Sequence, residues 1–398
     1  MEFKGVLSGV TVLDLSRVLA GPYCGMLLAD MGADVIKVEM PGVGDDSRAF
    51  GPFVNGESAY YINFNRNKRG VTLNLKHPKG KEVFLNLVKQ ADILIENYRP
   101  GTMEKLGLGY EVLKEINPRL VYGAVSGFGH TGPYSKRAGY DIIGQAMGGL
   151  MSTTGWPGGE PTRTGTPIGD VLGGLSLSIG VLGAYVKAAK TGQGQKVDVA
   201  LVDSVVSAMT NINMIYLNEG RIPDRIGNRY ESTYPYDSFQ TKDGSVIIGA
   251  GNDKLYSLLC NEMGRPELIQ DPRFITVSDR VANHVAVKEI VDAWTGEQTV
   301  DQVADRLTAI GVPACPINSI DRIVSDPHIA GDREMFVEID HPVAGRIKIT
   351  GDHLKFSSDK ITIQRPAPVL GEHSYEIYQE LLGMTTEQID ALKADGAM

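Results

Sequence analysis

Short apolar runs alternate with amphipathic stretches through the first half of the chain. Val10–Leu15 reads as a buried strand, broken by Gly21-Pro22, and Tyr23–Met31 as a helix ending at Gly32. Ala33–Glu39 is a second strand stopped by Pro41-Gly42, and Gly70–Leu75 a third. Lys79–Gln90 places Val83 and Leu87 four apart, as an amphipathic helix does. Asp92–Glu96, Leu120–Val125 and Lys196–Leu201 read as further strands. Ile142–Leu150, Val171–Lys190 (closed by Gly192) and Val202–Leu217 read as helices. Repeated strand–helix–strand units predict an α/β fold with a parallel sheet covered on both faces.

Near Gly220 the texture changes. Arg221–Tyr236 is polar and reads as a connection. Beyond it the pattern predicts a hairpin over Ser238–Gly249 and helices near Lys254–Met263, Val285–Trp294 and Val300–Ile310. Strands Phe336–Ile339 and Arg346–Ile349 follow, and then helices Ser374–Leu382 and Glu387–Ala394.

Composition narrows the function classes. The 398 residues carry a net charge of −9, which argues against a nucleic-acid-binding surface. Cys24, Cys260 and Cys315 lie far apart, and the seven His form no HExxH pattern, so neither a disulfide framework nor a metal site is expected. Met1–Gly5 has no leader-like apolar core, and the uncharged run Val171–Val186 reads as a buried helix rather than a membrane span. The expectation is a cytoplasmic protein with no membrane partner.

Four features bear on chemistry. Gly127-Phe-Gly-His-Thr-Gly132 matches GxGxxG, but Pro133-Tyr134 follows and no helix opens, so a dinucleotide fingerprint is not supported; the bland reading is a Gly-rich loop. Glu39, ending the second strand, occupies the place of a ribose-binding acid. From Ser58 to Lys81 there is no Asp or Glu, but Arg66, Lys68, Arg69, Lys76, Lys79 and Lys81 are present. That window is either a polyanion-binding surface or a solvated basic face. There is no P-loop and no GxSxG elbow; Ser126-Gly127 lacks the spacing. Finally, Asp170 lies in Gly169-Asp-Val-Leu-Gly-Gly174, opening the apolar run. It reads either as a helix N-cap or as a carboxylate nucleophile held ionised by the helix terminus, on a backbone cleared by glycines. Asp141 reads as the cap of its own following helix.

Taken together, the strings Leu7–Ser16, Gly32–Glu39, Asn65–Arg69, Ala91–Gly101, Glu104–Gly107, Asn117–Leu120, Gly127–Tyr134, Gly169-Asp170, Thr191–Gln195 and Ala367–His373 resemble the class III coenzyme A transferases. The resemblance spans the whole chain. It implies a Rossmann-like large domain (1–220), a smaller α+β domain (221–329) and a C-terminal return (330–398), with two chains interlocked as a homodimer. It implies Asp170 as nucleophile. It also implies CoA contacts from Val18, Leu19, Ala20, Leu73, Asn74, Lys76, Asn97, Tyr98, Arg99, Lys105, Arg137 and Tyr140. The substrates would be an acyl-CoA and a small carboxylic acid, with no tightly bound cofactor and no metal.

Two departures shape the expectation. The related acyl-CoA racemases carry a His in the Arg-Ala-Gly-His-Asp context, where this chain has Tyr140. Loss of that base favours transfer over racemisation. Formyl-CoA transferases carry a glycine run in the small domain; here Gly249-Ala-Gly-Asn-Asp253 reads as a helix cap. Tyr234, Tyr236, Arg225 and Arg229 are candidates to face an acyl pocket.

Overall fold

The computed structural model describes residues 5–398. The N-terminal stretch before Gly5, read above as lacking a leader, lies outside them. The described residues form two compact units: 5–150 with 163–219 and 327–398, and 151–162 with 220–326.

The first unit is built on six strands: β1 Thr11–Asp14, β2 Asp34–Glu39, β3 Arg69–Thr72, β4 Ile93–Glu96, β5 Val121–Ser126 and β6 Lys196–Ala200. They pair in the order β3-β2-β1-β4-β5-β6, all parallel. This is the doubly wound, Rossmann-like order, with its topological reversal between β1 and β4. Side chains alternate across a strand. Leu13, Ile36, Leu94 and Tyr122 therefore enter one core, while Val12, Val35, Ile93 and Val121 enter the other. Burial on both faces explains why these strands read as near-continuous apolar runs.

Helix α1 (Ala20–Asp30) carries Pro22 in its first turn, where the missing N–H costs nothing. Helix α2 is Asp141–Met147 and helix α3 Ile168–Thr191, the latter ended by Gly192 at φ 72° as expected. Leu177, Val181, Ala184 and Ala188 seat α3 on the sheet. Its other face is not buried as the apolar run implied: Ile179 is 73% exposed and Val186 is exposed too. The single helix expected over 202–217 is two, Leu201–Ala208 and Thr210–Glu219, divided where Thr210 takes φ 41°.

The basic window is resolved by the fold. Arg66 forks onto Asp30, Lys68 bonds Asp14 at 2.8 Å, and Arg69 pairs with Asp34, Glu376 and Glu380. Arg66, Lys68 and Arg69 are buried and committed to carboxylates of other elements, so this half of the window is not a surface for a polyanion; Lys76 and Lys79 are exposed, Lys79 pairing with Asp395. Glu39 is equally committed: it receives Arg48, the Asp45 N–H and the Tyr61 hydroxyl. The C-terminal segment covers the outer edge of β3. His373 N–H donates to Gly70 O at 2.8 Å, Gly70 N–H donates to His373 Nδ1 at 3.1 Å, and the Tyr378 hydroxyl donates to Thr72 O at 2.9 Å. Backbone groups that an edge strand would leave open are thereby satisfied.

The second unit has its own antiparallel sheet, ordered Ala314–Pro316, Ser245–Gly249, Tyr236–Gln240. Its core holds Phe239, Ile248, Leu259, Val291 and Leu307. Asn252 caps Asp253–Glu262 by accepting the Leu255 N–H at 2.9 Å, as the reading of Gly249–Asp253 as a helix cap expected. Tyr234 is wholly buried in this core, against the expectation that it faces a pocket. Tyr236 is half exposed beside Tyr230, and Arg225 donates to Ser152 O at 3.1 Å.

Candidate active site

Open parallel sheets bind ligands outside the carboxyl ends of their strands, at the reversal of strand order. Three segments leave the sheet there: Ser16–Leu19 after β1, Asn97–Pro100 after β4, and Gly127 after β5. They line a cavity of about 360 Å³, closed by Arg137–Tyr140 and Asp170. The first segment is strained. Val18 has φ 68°, a left-handed conformation that a β-branched residue rarely adopts. Such strain persists where the surroundings over-determine it. Here the Val18 N–H donates to Asp45 Oδ1 at 3.0 Å, and Asp45 is itself paired with the fully buried Lys37 at 2.7 Å.

Asp170 is the third residue of α3, not its N-cap; Pro167 holds that position without a side-chain bond. The cap comes from α2. Asp141 Oδ1 accepts the Gly169 N–H at 2.8 Å and the Asp170 N–H at 3.3 Å. Asp141 therefore caps a neighbouring helix rather than its own. The Asp170 carboxylate receives no hydrogen bond among the described residues and opens on the cavity. Nor is it held ionised by the helix terminus. Burial, and then the Asp141 charge, push its pKa up to about 7. The neighbouring glycines do not clear space for a ligand either. A Cβ on Gly169 would meet Asp141 Oδ1 at 3.0 Å, one on Gly173 would meet Leu201, and one on Gly174 would meet Ala20 O at 2.6 Å. They let α1, α2 and the helix after β6 pack against α3.

The chain matches the model of CoA-transferase family III over residues 7–374. The chain belongs to this family. An acyl-CoA transferase of Fusarium pseudograminearum is 41% identical, over 99% of this chain and 88% of its own length. The human succinyl-CoA:glutarate CoA-transferase is 38% identical, over 98% of this chain and 90% of its own. Among solved structures, a CAIB/BAIF family protein from Brucella suis is 40% identical with a TM-score of 0.83, over 95% of this chain and 99% of that one. The family III chain described here is thus a transferase, with the fold its solved relatives carry.

In this CoA-transferase chain, Val18, Leu19, Ala20, Asn97, Tyr98, Arg99, Arg137, Tyr140 and Asp170 converge on one cavity. Leu73, Asn74 and Lys76 follow β3, two strands away, and Lys105 is exposed on a short helix after β4; none of them lines it. Tyr140, which stands where the racemases keep a His, is 72% exposed at the head of α2.

The sequence reading missed several members. Arg17 lines the cavity and pairs with Asp46. Ser126 lacks the spacing of a nucleophile elbow, yet its hydroxyl lies buried without a partner among the described residues, on the cavity wall. Tyr60 feels the site electrostatically. Burial raises the pKa of its hydroxyl, with further pushes from Asp170, Asp45 and Asp141. Gln145, wholly buried, holds Asp141 from behind at 2.7 Å. Arg17 and Tyr60 carry no local sequence signal, since the carboxylates that act on them, Asp46 and Asp170, are distant in the chain. Among the described residues no three His, Cys, Asp or Glu side chains gather as a metal site.

Proposed function

We propose that this protein moves coenzyme A from an acyl-CoA to a free carboxylic acid through covalent intermediates on Asp170. One observation carries the reading: the Asp170 carboxylate is presented, without a hydrogen-bond partner among the described residues, in the cavity at the carboxyl ends of the sheet. A carboxylate oxygen attacks the thioester carbonyl; the C–S bond breaks and CoA thiolate leaves an aspartyl–acyl anhydride. The thiolate then attacks the aspartyl carbonyl, the anhydride C–O bond breaks, and the donor acid departs from an aspartyl-CoA thioester. The acceptor carboxylate attacks that thioester, and the released thiolate takes the acceptor's acyl carbon, returning Asp170. Atoms and charge balance without an oxidant or a nucleotide.

The remaining cavity members have roles in this reading. Backbone N–H groups at the start of α1 and cations Arg17, Arg99 and Arg137 suit the phosphates and the developing oxyanions. The raised pKa keeps Asp170 basic, hence nucleophilic, while placing its ionisation in the neutral range. An acceptor dicarboxylate is supported by the similarity to the succinyl-CoA:glutarate CoA-transferase and by the cationic lining. We also propose a homodimer, with a second copy covering the exposed apolar stripe Ile179 and Val186 of α3. The activity is tested by incubating the protein with a panel of acyl-CoA donors and acids and reading CoA-ester masses. New CoA esters that need both partners support the reading. Acid-independent α-deuteration in heavy water, with no exchange, would instead show the racemase chemistry.

A further inference from the structure

We infer that Asp141 is a positioning residue for the nucleophile: its carboxylate caps the helix that carries Asp170 and, with Gln145 behind it, fixes where the Asp170 carboxylate stands when it attacks. The inference rests on the reading of Asp170 as nucleophile.

The geometry is a directed chain of hydrogen bonds. Thr164 N–H donates to Gln145 Oε1 at 3.0 Å, so the Gln145 amide must turn its Nε2 the other way. That Nε2 donates to Asp141 Oδ2 at 2.7 Å. Asp141 Oδ1 then takes the Gly169 N–H at 2.8 Å and the Asp170 N–H at 3.3 Å. α3 has no side-chain cap of its own at Pro167, so this outside carboxylate supplies the acceptor that its first turn needs. The residue before the nucleophile is glycine, and a Cβ there would stand 3.0 Å from Asp141 Oδ1, so a side chain would require the Asp141 carboxylate to give by a few tenths of an ångström. The backbone of Asp170 is thus tied at its own N–H to a second helix, which fixes the Cα from which its carboxylate extends into the cavity.

The same contact sets two carboxylates close together. The charged and titratable groups around Asp170 are Asp141 from α2, Tyr60 from the helix Ala59–Asn65, and Arg17, Asp46, Tyr98, Arg99, Arg137 and Tyr140 on the cavity wall. Of these, Asp141 is the charge that acts on Asp170 against its ionisation. Removing that charge makes Asp170 a stronger acid and therefore a weaker nucleophile. Removing the hydrogen bonds lets it move. The two effects separate experimentally.

The test compares Asp141→Ala, Asp141→Asn and the double variant Asp141→Asn/Gln145→Glu with the wild type in a CoA-exchange assay across pH. In the double variant the amide introduced on α2 donates to the carboxylate introduced one turn later, which still accepts from Thr164. The chain of bonds is thereby rebuilt with the charge moved one residue outward along it. Asp141→Ala is expected to lose kcat by about 100-fold, the scale of an ångström-sized misplacement, with KM for acyl-CoA nearly unchanged. Asp141→Asn is expected to move the acid limb of kcat/KM to lower pH. The double variant is expected to recover most of the kcat that Asp141→Asn loses, and it keeps the test readable if Asp141→Ala does not fold. Wild-type kcat in Asp141→Ala overturns the inference. So does a loss of kcat with the acid limb unmoved in Asp141→Asn, which is what a purely structural residue would give. Asp170→Asn, run alongside, separates the two ideas: if it is inactive while Asp141→Ala is fully active, the nucleophile stands and the positioning role falls. If Asp170→Asn is active, the underlying reading falls instead.

Discussion

Arg17 and Asn97 clasp each other across the reversal of strand order: the Arg17 N–H donates to Asn97 Oδ1 at 2.8 Å, and Asn97 Nδ2 donates back to Arg17 O at 2.6 Å. One residue follows β1 and the other follows β4, so a single side chain ties together two of the loops that line the cavity. The clasp also holds the turn in which Val18 is strained. Asn97→Ala should therefore release that turn. The expected result is a rise in KM for acyl-CoA of roughly tenfold, the equivalent of one lost hydrogen-bond pair at about 1.4 kcal/mol, with a smaller fall in kcat. Steady-state kinetics at saturating acceptor measures it, and an unchanged KM would show that the clasp does not position the donor.

Asp170 ties activity and stability to pH with opposite signs. In the folded chain its carboxyl titrates at about 7, against 3.8 for an ordinary Asp. The folded state therefore binds the proton more tightly than the unfolded one between those values. Stability falls as pH rises from about 4 to about 7, and above that the loss is complete and constant. Asp170→Asn carries no charge to bury. It should match the wild type in Tm at the acid end and exceed it at pH above 7. Activity runs the other way, because the carboxylate must be ionised to attack: kcat/KM should rise with pH through an apparent pKa near 7. Glu96, buried between the Tyr98 N–H and the Tyr122 hydroxyl, is also pushed up to about 7 by burial. Glu96→Gln leaves the limb in place if Asp170 is its source.

Lys68 and Asp14 form a wholly buried pair at 2.8 Å. Lys68 also reaches Pro22 O and Asn65 Oδ1, and Asp14 accepts the Ser16 N–H. Removing one partner leaves the other buried without its counter-charge, at a cost of about 3–5 kcal/mol. Lys68→Met should lower the chemical denaturation midpoint accordingly. The loss should shrink in Asp14→Asn/Lys68→Met, because no lone charge remains. A single variant as stable as wild type would contradict the assignment of this cation to the fold.

On the outer face of α3, Ile179→Glu places a charge on the stripe proposed to meet a second copy. Ile179 packs against no buried cluster, so the substitution should leave the monomer fold intact. Light scattering should show the wild type at twice the mass of the variant. Equal masses would remove this face from the proposed interface.

The sheet was legible in the chain because its four central strands are largely apolar runs bounded by Gly, Pro or charged residues, as burial on both faces demands, whereas the edge strand Lys196–Ala200 shows the alternation of a half-exposed strand. The site was legible less evenly. Asp170 stood out locally as either an N-cap or a nucleophile, and the family resemblance chose between them; it is not the cap, because the capping carboxylate, Asp141, lies 29 residues earlier, on another helix. The first half of the basic window fits neither of its two readings for the same reason: the carboxylates that neutralise Arg66, Lys68 and Arg69 sit on other elements, while Lys76 and Lys79 are exposed. Local patterns report periodicity and turn chemistry, whereas pairing of buried charges is a property of the assembled sheet. The glycines around Asp170 were noticed for the right positions and the wrong purpose, since helix-to-helix distance cannot be read from one segment.

The central claim is the covalent role of Asp170, and one measurement tests it most directly. The protein is incubated with acyl-CoA alone, quenched with hydroxylamine, digested and analysed by mass spectrometry. The account predicts a hydroxamate on the peptide containing Asp170, dependent on acyl-CoA, and neither hydroxamate nor CoA exchange in Asp170→Asn. An unmodified Asp170 peptide in an active preparation, together with full exchange activity in Asp170→Asn, would contradict it.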